Sequence, residues 1–130
     1  LVSNAWKTER NYFDTHVLEP EHIRAGLIEG LQQARDTRLP RVSVHRQFKR
    51  LVEDEPDAFG PYAARLVAHP GEGPFPSQKL AALPKDARVL LAVGPEGGWT
   101  NDETAAIRQA GGRPIHLGPN TLRIETAALV

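Results

Sequence analysis

Two glycine-rich segments carry the residue types that could hold a small ligand. The first is Gly94-Pro95-Glu96-Gly97-Gly98, and the second is Gly118-Pro119-Asn120-Thr121-Leu122-Arg123. Glycine lets a backbone approach a ligand closely because no Cβ atom stands between them. The same glycines would also suit a tight turn between a strand and a helix, so spacing alone leaves both interpretations open.

The first segment matches neither common glycine motif for nucleotides. A phosphate-binding loop ends in Gly-Lys-Ser/Thr, whereas here Gly97 is followed by Gly98-Trp99-Thr100, without a lysine. A dinucleotide-binding motif needs three glycines at fixed offsets into a helix, which residues 94–98 do not provide. The segment therefore suits a small ligand held by backbone groups, and it does not indicate that this ligand is a nucleoside triphosphate.

Strands and helices must alternate around these segments to position them. The apolar run 88–93 predicts a parallel strand covered on both faces, and 113–117 predicts another strand. Thr100 and Glu103 have the spacing of a capping box, which predicts a helix that ends at Gly111-Gly112. The fold class is α/β, a mainly parallel sheet flanked by helices. Because ligands bind beyond the carboxyl ends of such strands, we expect both segments to form one cleft at the tips of neighbouring strands.

The remaining elements follow from apolar spacing and from proline and glycine. Pro20 suits a first helical turn, and Pro40 prevents that helix from continuing. The other predicted elements are a strand tail at 1–5, a short strand at 41–45, a brief helix around 48–52, an apolar run at 64–68, a loop at 71–77 and a helix at 125–130.

Composition excludes several classes of protein. With 130 residues and 16 basic against 16 acidic side chains, the chain is not a globally basic nucleic-acid binder. It has no cysteine, its five histidines lack metal-ligand spacing, and no apolar run reaches membrane-spanning length, so we expect no metal and no membrane. A local excess of basic residues lies at 35–50. Its Arg35, Arg38 and Arg46 are candidate phosphate contacts, and a solvated charged face is the alternative.

Both glycine segments, with their flanks, resemble a known family. Val93–Trp99 and Leu117–Ala127, in that order, are similar to the paired signatures of the RsmE family of ribosomal RNA small-subunit (uracil-N3)-methyltransferases, in the SPOUT superfamily. Gln33-Ala34-Arg35 with Arg38-Leu39-Pro40 resembles a further segment of that family. The sequence departs from the family at Asn120, where a basic residue is usual, and at Ile124, where threonine is frequent.

The resemblance implies a fold, an activity and partners. It implies a trefoil-knotted methyltransferase domain over residues 1–130, truncated at both ends and lacking the family's N-terminal RNA-binding domain. It further implies a cytoplasmic homodimer that uses S-adenosylmethionine to methylate N3 of a uridine in 16S ribosomal RNA. With an RNA substrate, Arg35, Arg38 and Arg46 become candidate RNA-phosphate contacts. The residues that it assigns to the cofactor are Val93, Gly94, Glu96, Gly97, Gly98, Leu117, Gly118, Asn120, Leu122, Arg123 and Thr126.

Arg123 and Glu125 are the candidate catalytic residues. Uracil N3 carries a proton, so the reaction needs a base or a cation that stabilises the uracil anion. Arg123 would stabilise that charge or grip a phosphate, and Glu125 would position Arg123 or meet the sulfonium. Alternatively, the two are a surface cation and an acid favoured by the helix dipole.

Trp99, His116 and the function of the chain each have an alternative interpretation. Trp99 is expected to pack in the core or a dimer contact, with base stacking as the alternative, and His116 to be a buried, hydrogen-bonded histidine rather than a general base. The alternative functions are a knotted methyltransferase for another RNA or base, and a non-catalytic dimerisation or nucleotide-binding domain of the same fold.

Overall fold

Two parallel sheets organise the computed structural model, which describes residues 1–54, 60–71, 73–75 and 80–129. The smaller sheet pairs two strands, and the larger one has three strands in the order β4-β3-β5. The strands are β1 (Val2–Ser3), β2 (Val44–His45), β3 (Ala64–Ala68), β4 (Val89–Ala92) and β5 (Arg113–Ile115). The helices are α1 (Pro20–Ala34), α2 (Phe48–Asp54), α3 (Asn101–Gln109) and α4 (Ile124–Leu129), with 3₁₀ turns at Arg10–Phe13 and His16–Leu18. The predicted parallel α/β class is confirmed.

The register of the larger sheet brings three chain segments to one edge. β3 pairs in parallel with β4 through Ala64–Val67 and with β5 through Leu66–Ala68. Parallel strands end at the same edge, so the residues that follow β3, β4 and β5 meet there. The expectation that β4 and β5 are neighbours is wrong, because β3 lies between them and adds its own carboxyl end to the site.

The core lies between β3, β5 and α3. Ile107 of α3 and Ile115 of β5 are 2% and 1% exposed, and Leu66 and Val67 of β3 are also buried. The predicted burial of β4 on both faces is wrong. Leu91 is 43% exposed. β4 is an edge strand, and the described residues leave one of its faces open to solvent.

Local sequence signals set the bounds of α3. The Thr100 side chain accepts a hydrogen bond from the Glu103 amide, and the Glu103 carboxylate accepts one from the Thr100 amide, so the predicted capping box is confirmed. At the other end Gly111 has a φ of +84°, a conformation that suits glycine. A Cβ atom at Gly112 would overlap Ile107, so glycine there lets the helix end pack closely on the core.

The first helix begins as predicted and ends at Ala34, before the predicted stop at Pro40. Pro20 occupies its first turn, and Arg35 ends it with a φ of 53°. The Asp36 carboxylate then accepts hydrogen bonds from the amides of Arg38 and Thr37, which hold the pKa of Asp36 below its usual value. The predicted strand at 41–45 is shorter than expected, since only Val44–His45 pair. The predicted loop at 71–77 lies partly outside the described residues, as does the last residue of the predicted final helix.

Candidate functional site

A cavity of about 570 Å³ lies at the carboxyl edge of the larger sheet. Both glycine-rich segments line this cavity, so the sheet brings together two segments that are about twenty residues apart in the sequence. Ten of the eleven predicted cofactor residues are among the lining: Val93, Gly94, Glu96, Gly97, Gly98, Leu117, Gly118, Asn120, Leu122 and Arg123. The predicted single cleft is therefore present, with β3 contributing a third wall.

Two of the residues predicted for the cofactor or for catalysis lie outside the lining. Thr126 and Glu125 are exposed on α4, whose Ile124 and buried Ala127 line the cavity instead. Arg123 lines the cavity and is itself exposed. No ion pair joins Arg123 to Glu125 within the described part of the chain, so positioning of the arginine by that carboxylate stays a prediction.

The first glycine segment, residues 94–98, forms a tight turn against an aromatic side chain. The Gly98 amide donates to the Pro95 carbonyl over 2.8 Å, and Gly98 has a φ of +70°. A Cβ atom at Gly94 would lie 2.9 Å from Cε2 and Nε1 of Trp99. Trp99 packs on Phe48 with ring centroids 5.4 Å apart and also lines the cavity. The expected packing role of Trp99 is confirmed, and its Nε1 is buried without a partner among the described residues.

Replacing Gly94 by alanine should damage both fold and site. The new methyl group would collide with a ring that Phe48 holds in place, so we expect a loss of about 1–3 kcal/mol in the free energy of unfolding. Urea denaturation measures this loss. Gly26→Ala is the matched control, because nothing lies within 4 Å of its Cβ position on α1 and alanine favours a helix. Equal stability of the two variants would contradict the close approach at Gly94.

The second glycine-rich segment, residues 118–123, leaves its backbone open to a ligand. Gly118 has a φ of +136°, and its amide donates to His116 Nδ1 over 3.3 Å. Within the described chain the amides of residues 120–123 donate no hydrogen bond, so they are available to water or a ligand. His116 is half-buried and its ring centroid lies 5.8 Å from that of Phe75. The predicted hydrogen bond at His116 is confirmed, but its full burial is wrong.

Sequence reasoning missed two further walls of the cavity. His69 and Pro70 follow β3 and line it, and the apolar run at 64–68 that ends before Pro70 was the available signal. Lys7 also lines it, and its Nζ donates to the Gly97 carbonyl over 2.9 Å. No local pattern marks Lys7, because its partner lies 90 residues away.

Glu103 fixes the segment that carries Lys7. Its Oε1 accepts a hydrogen bond from the Trp6 amide over 2.7 Å, while its Oε2 accepts from the Thr100 amide and hydroxyl. Glu103 is only 8% exposed. The capping box therefore also joins the N-terminal segment to the first glycine turn.

The predicted RNA contacts lie apart from the cavity lining. Arg35, Arg38 and Arg46 are exposed, and none of them lines the cavity. The Arg46 guanidinium lies 3.6 Å from an Asp14 carboxylate oxygen, an exposed pair that contributes little to stability.

Residues 1–54, 60–71, 73–75 and 80–129 contain neither a metal-binding cluster nor a membrane-spanning helix. There, no group of three histidine, aspartate or glutamate side chains is placed to hold a metal ion. No helix in the same part of the chain is long and apolar enough to cross a bilayer.

Comparisons with known proteins agree with the motifs. Residues 4–130 match the family model described as an RNA methyltransferase domain. Ribosomal RNA small subunit methyltransferase E of Treponema pallidum is 31% identical over 92% of this chain and 45% of its own length. The protein of that name from Mycobacterium bovis is 36% identical over 82% of this chain and 40% of its own length.

A solved structure shares the fold. The ribosomal RNA small subunit methyltransferase E of Neisseria gonorrhoeae, bound to S-adenosyl methionine, superposes with a TM-score of 0.71 at 20% identity, over 98% of this chain and 49% of that one. The chain thus spans about half the length of these relatives. The chain belongs to the RNA methyltransferase domain family, and its predicted likeness to the RsmE group is confirmed.

Proposed function

We propose that residues 1–130 form a methyltransferase domain that uses S-adenosylmethionine to methylate N3 of a uridine in small-subunit ribosomal RNA. The observation that carries this proposal is the shared cavity, which both family motifs line at the carboxyl edge of a parallel sheet. The names of the relatives in Treponema pallidum and Mycobacterium bovis support the substrate class. The bound cofactor of the Neisseria gonorrhoeae protein supports the choice of methyl donor.

The cavity suits an adenosine-bearing cofactor in size and lining. Its volume of about 570 Å³ lies in the usual range for small-molecule pockets. The glycines of the first turn give it a wall without side chains. The amides of 120–123 and the carbonyls near Leu117 would hold the adenine and ribose. When bound, S-adenosylmethionine supplies an electrophilic methyl group on its sulfonium.

The protein's own groups must place and activate the uridine. Methyl transfer is an in-line displacement, so the walls act chiefly by orientation. Arg123 is an exposed cation on the cavity wall, where it would stabilise the negative charge that forms on uracil when the N3 proton leaves. Because Glu125 lies outside the lining, Arg123 is the stronger candidate for a direct role.

The finer architecture belongs to the same proposal. We infer a trefoil knot and a cytoplasmic homodimer from the RsmE likeness, and the superposition on the Neisseria gonorrhoeae protein supports the fold. The N-terminal RNA-binding domain of the family is inferred to lie outside residues 1–130.

Calorimetric titration of the full-length protein with S-adenosylmethionine tests the function. Saturable binding is expected, and a silent titration would favour a non-catalytic domain of the same fold. Mass-spectrometric mapping of ribosomal RNA from a deletion strain tests the substrate. One N3-methyluridine of the small subunit should disappear, and an unchanged inventory would contradict the proposed target.

The arginines at 35, 38 and 46 should contribute to the salt dependence of RNA binding. Each lost phosphate contact makes the negative slope of log K against log salt shallower by about 0.7–0.9, so replacing all three by glutamate should make it shallower by about 2–3. Filter binding at several salt concentrations measures the slope. Arg24→Glu, an exposed position on α1, is the control. A slope unchanged in the triple variant would mean that these residues form only a solvated face.

A further inference from the structure

Lys7 is a charged residue of the cavity lining that lies outside both motifs. It comes from the N-terminal segment, and its ammonium lies on the first glycine turn, 2.9 Å from the Gly97 carbonyl oxygen. An ammonium group has three N–H donors, so this bond leaves two for a ligand. Lys7 therefore presents a positive charge at the cavity wall.

The position of Lys7 is fixed by contacts on both sides. Ala5 is 6% exposed, and its carbonyl accepts from the Thr8 amide in a turn. The Trp6 amide is held by the buried Glu103. The aliphatic stem of Lys7 packs on Gly97 so closely that a Cβ atom there would lie 2.9 Å from the Lys7 Cβ. These contacts reduce the conformational entropy that a free lysine would lose on binding a ligand.

An acidic group lies next to this cation on the same wall. Glu96 directly precedes Gly97 and also lines the cavity. No ion pair joins Lys7 to Glu96 in the described residues, so both charges are available to a ligand. A positive and a negative group on adjoining positions complement the carboxylate and ammonium of an α-amino acid.

We propose that Lys7 binds the carboxylate of the amino-acid part of the methyl donor, with Glu96 facing its ammonium. This inference rests on the proposed function, since it concerns the same cofactor. It places the amino-acid end of the ligand beside residues 96–97 and leaves the adenosine to the turn at 117–123. Lys7 is accordingly a specificity residue for a donor that retains its carboxylate.

The test compares S-adenosylmethionine with its decarboxylated form, which lacks only the group in question. In calorimetric titrations of the full-length protein, Lys7→Met should weaken binding of S-adenosylmethionine about fivefold, as expected for a partly exposed ion pair. Methionine keeps an aliphatic stem on Gly97, so binding of the decarboxylated form should be unchanged. Lys49→Met is the control, because Lys49 pairs with Glu53 on α2 outside the cavity lining.

The other outcomes separate the competing explanations. Equal weakening of both ligands would overturn the inference, since Lys7 would then act only by holding the turn. Unchanged binding of both ligands would also overturn it, and weaker RNA binding in the same variant would assign Lys7 to a phosphate. If the unmodified protein binds neither ligand, the proposed function itself fails, which is distinct from a failure at Lys7.

Discussion

Replacing Arg123 by alanine should lower kcat by about 100- to 1,000-fold, the usual effect of removing a group that stabilises transition-state charge. Arg123 is the motif arginine on the cavity wall, and no acidic partner neutralises it within the described residues. Because the charge appears on uracil only when the N3 proton leaves, affinity for S-adenosylhomocysteine should change little. Single-turnover kinetics with ribosomal RNA, alongside calorimetry with the cofactor product, measure the two quantities.

The pH profile of the Arg123→Ala variant separates catalysis from folding. Without a nearby cation the uracil proton is lost only at higher pH, so the variant's rate should keep rising where the unmodified enzyme has levelled off. Arg123→Lys should recover part of the rate, because it restores a positive charge. Arg113→Ala is the matched control, since Arg113 is exposed at the opposite end of β5. Parallel losses in rate and cofactor affinity would show instead that Arg123 binds the cofactor.

Replacing Glu103 by alanine should reduce the free energy of unfolding by about 2–4 kcal/mol. Its carboxylate accepts hydrogen bonds from the Trp6 amide, the Thr100 amide and the Thr100 hydroxyl. Alanine would remove the cap of α3 and leave the part-buried Trp6 amide without its partner. Chemical denaturation with a linear extrapolation measures the loss.

Two further variants show which property of Glu103 matters. Glu103→Gln keeps the shape but turns an N–H group toward one of the donors, so we expect a loss smaller than that of alanine. Asp102→Asn changes an exposed acid in the same first turn, and its cost should stay below about 1 kcal/mol. If Glu103→Ala costs no more than Asp102→Asn, the carboxylate does not join the N-terminal segment to α3.

The local features of the fold were predictable because their causes lie close together in the sequence. The capping box at Thr100 and Glu103, the start of α1 at Pro20 and the positive φ at Gly111 each depend on residues within one helical turn. The parallel sheet followed from an apolar run between glycine-rich turns. The length of β2 and the exposed face of β4 were not predictable, because strand pairing depends on segments far away in the chain.

Some residues of the candidate site could likewise be predicted from the sequence, and others depend on the tertiary structure. Residues 93–99 and 117–127 form its two turns and resemble methyltransferase motifs. The cofactor candidates on those turns could therefore be predicted from the sequence. Thr126 belongs to the second motif too, yet it lies outside the lining because Ile124 and Ala127 are the residues of α4 that face the cavity. A motif shows which residues lie near the site along the chain. The orientation of α4 about its own axis then decides which of their side chains face the cavity.

The sequence by itself determined the elements, the glycine turns and the family of this protein, since periodicity, caps and motifs act over short distances. Tertiary structure alone decided that β3 separates β4 from β5, that His69 and Pro70 form a third wall, and that Lys7 lies on Gly97. These facts depend on contacts between residues as much as 97 positions apart, as with Trp6 and Glu103. Such contacts form only when the apolar faces of the whole chain pack together, and no short segment encodes them.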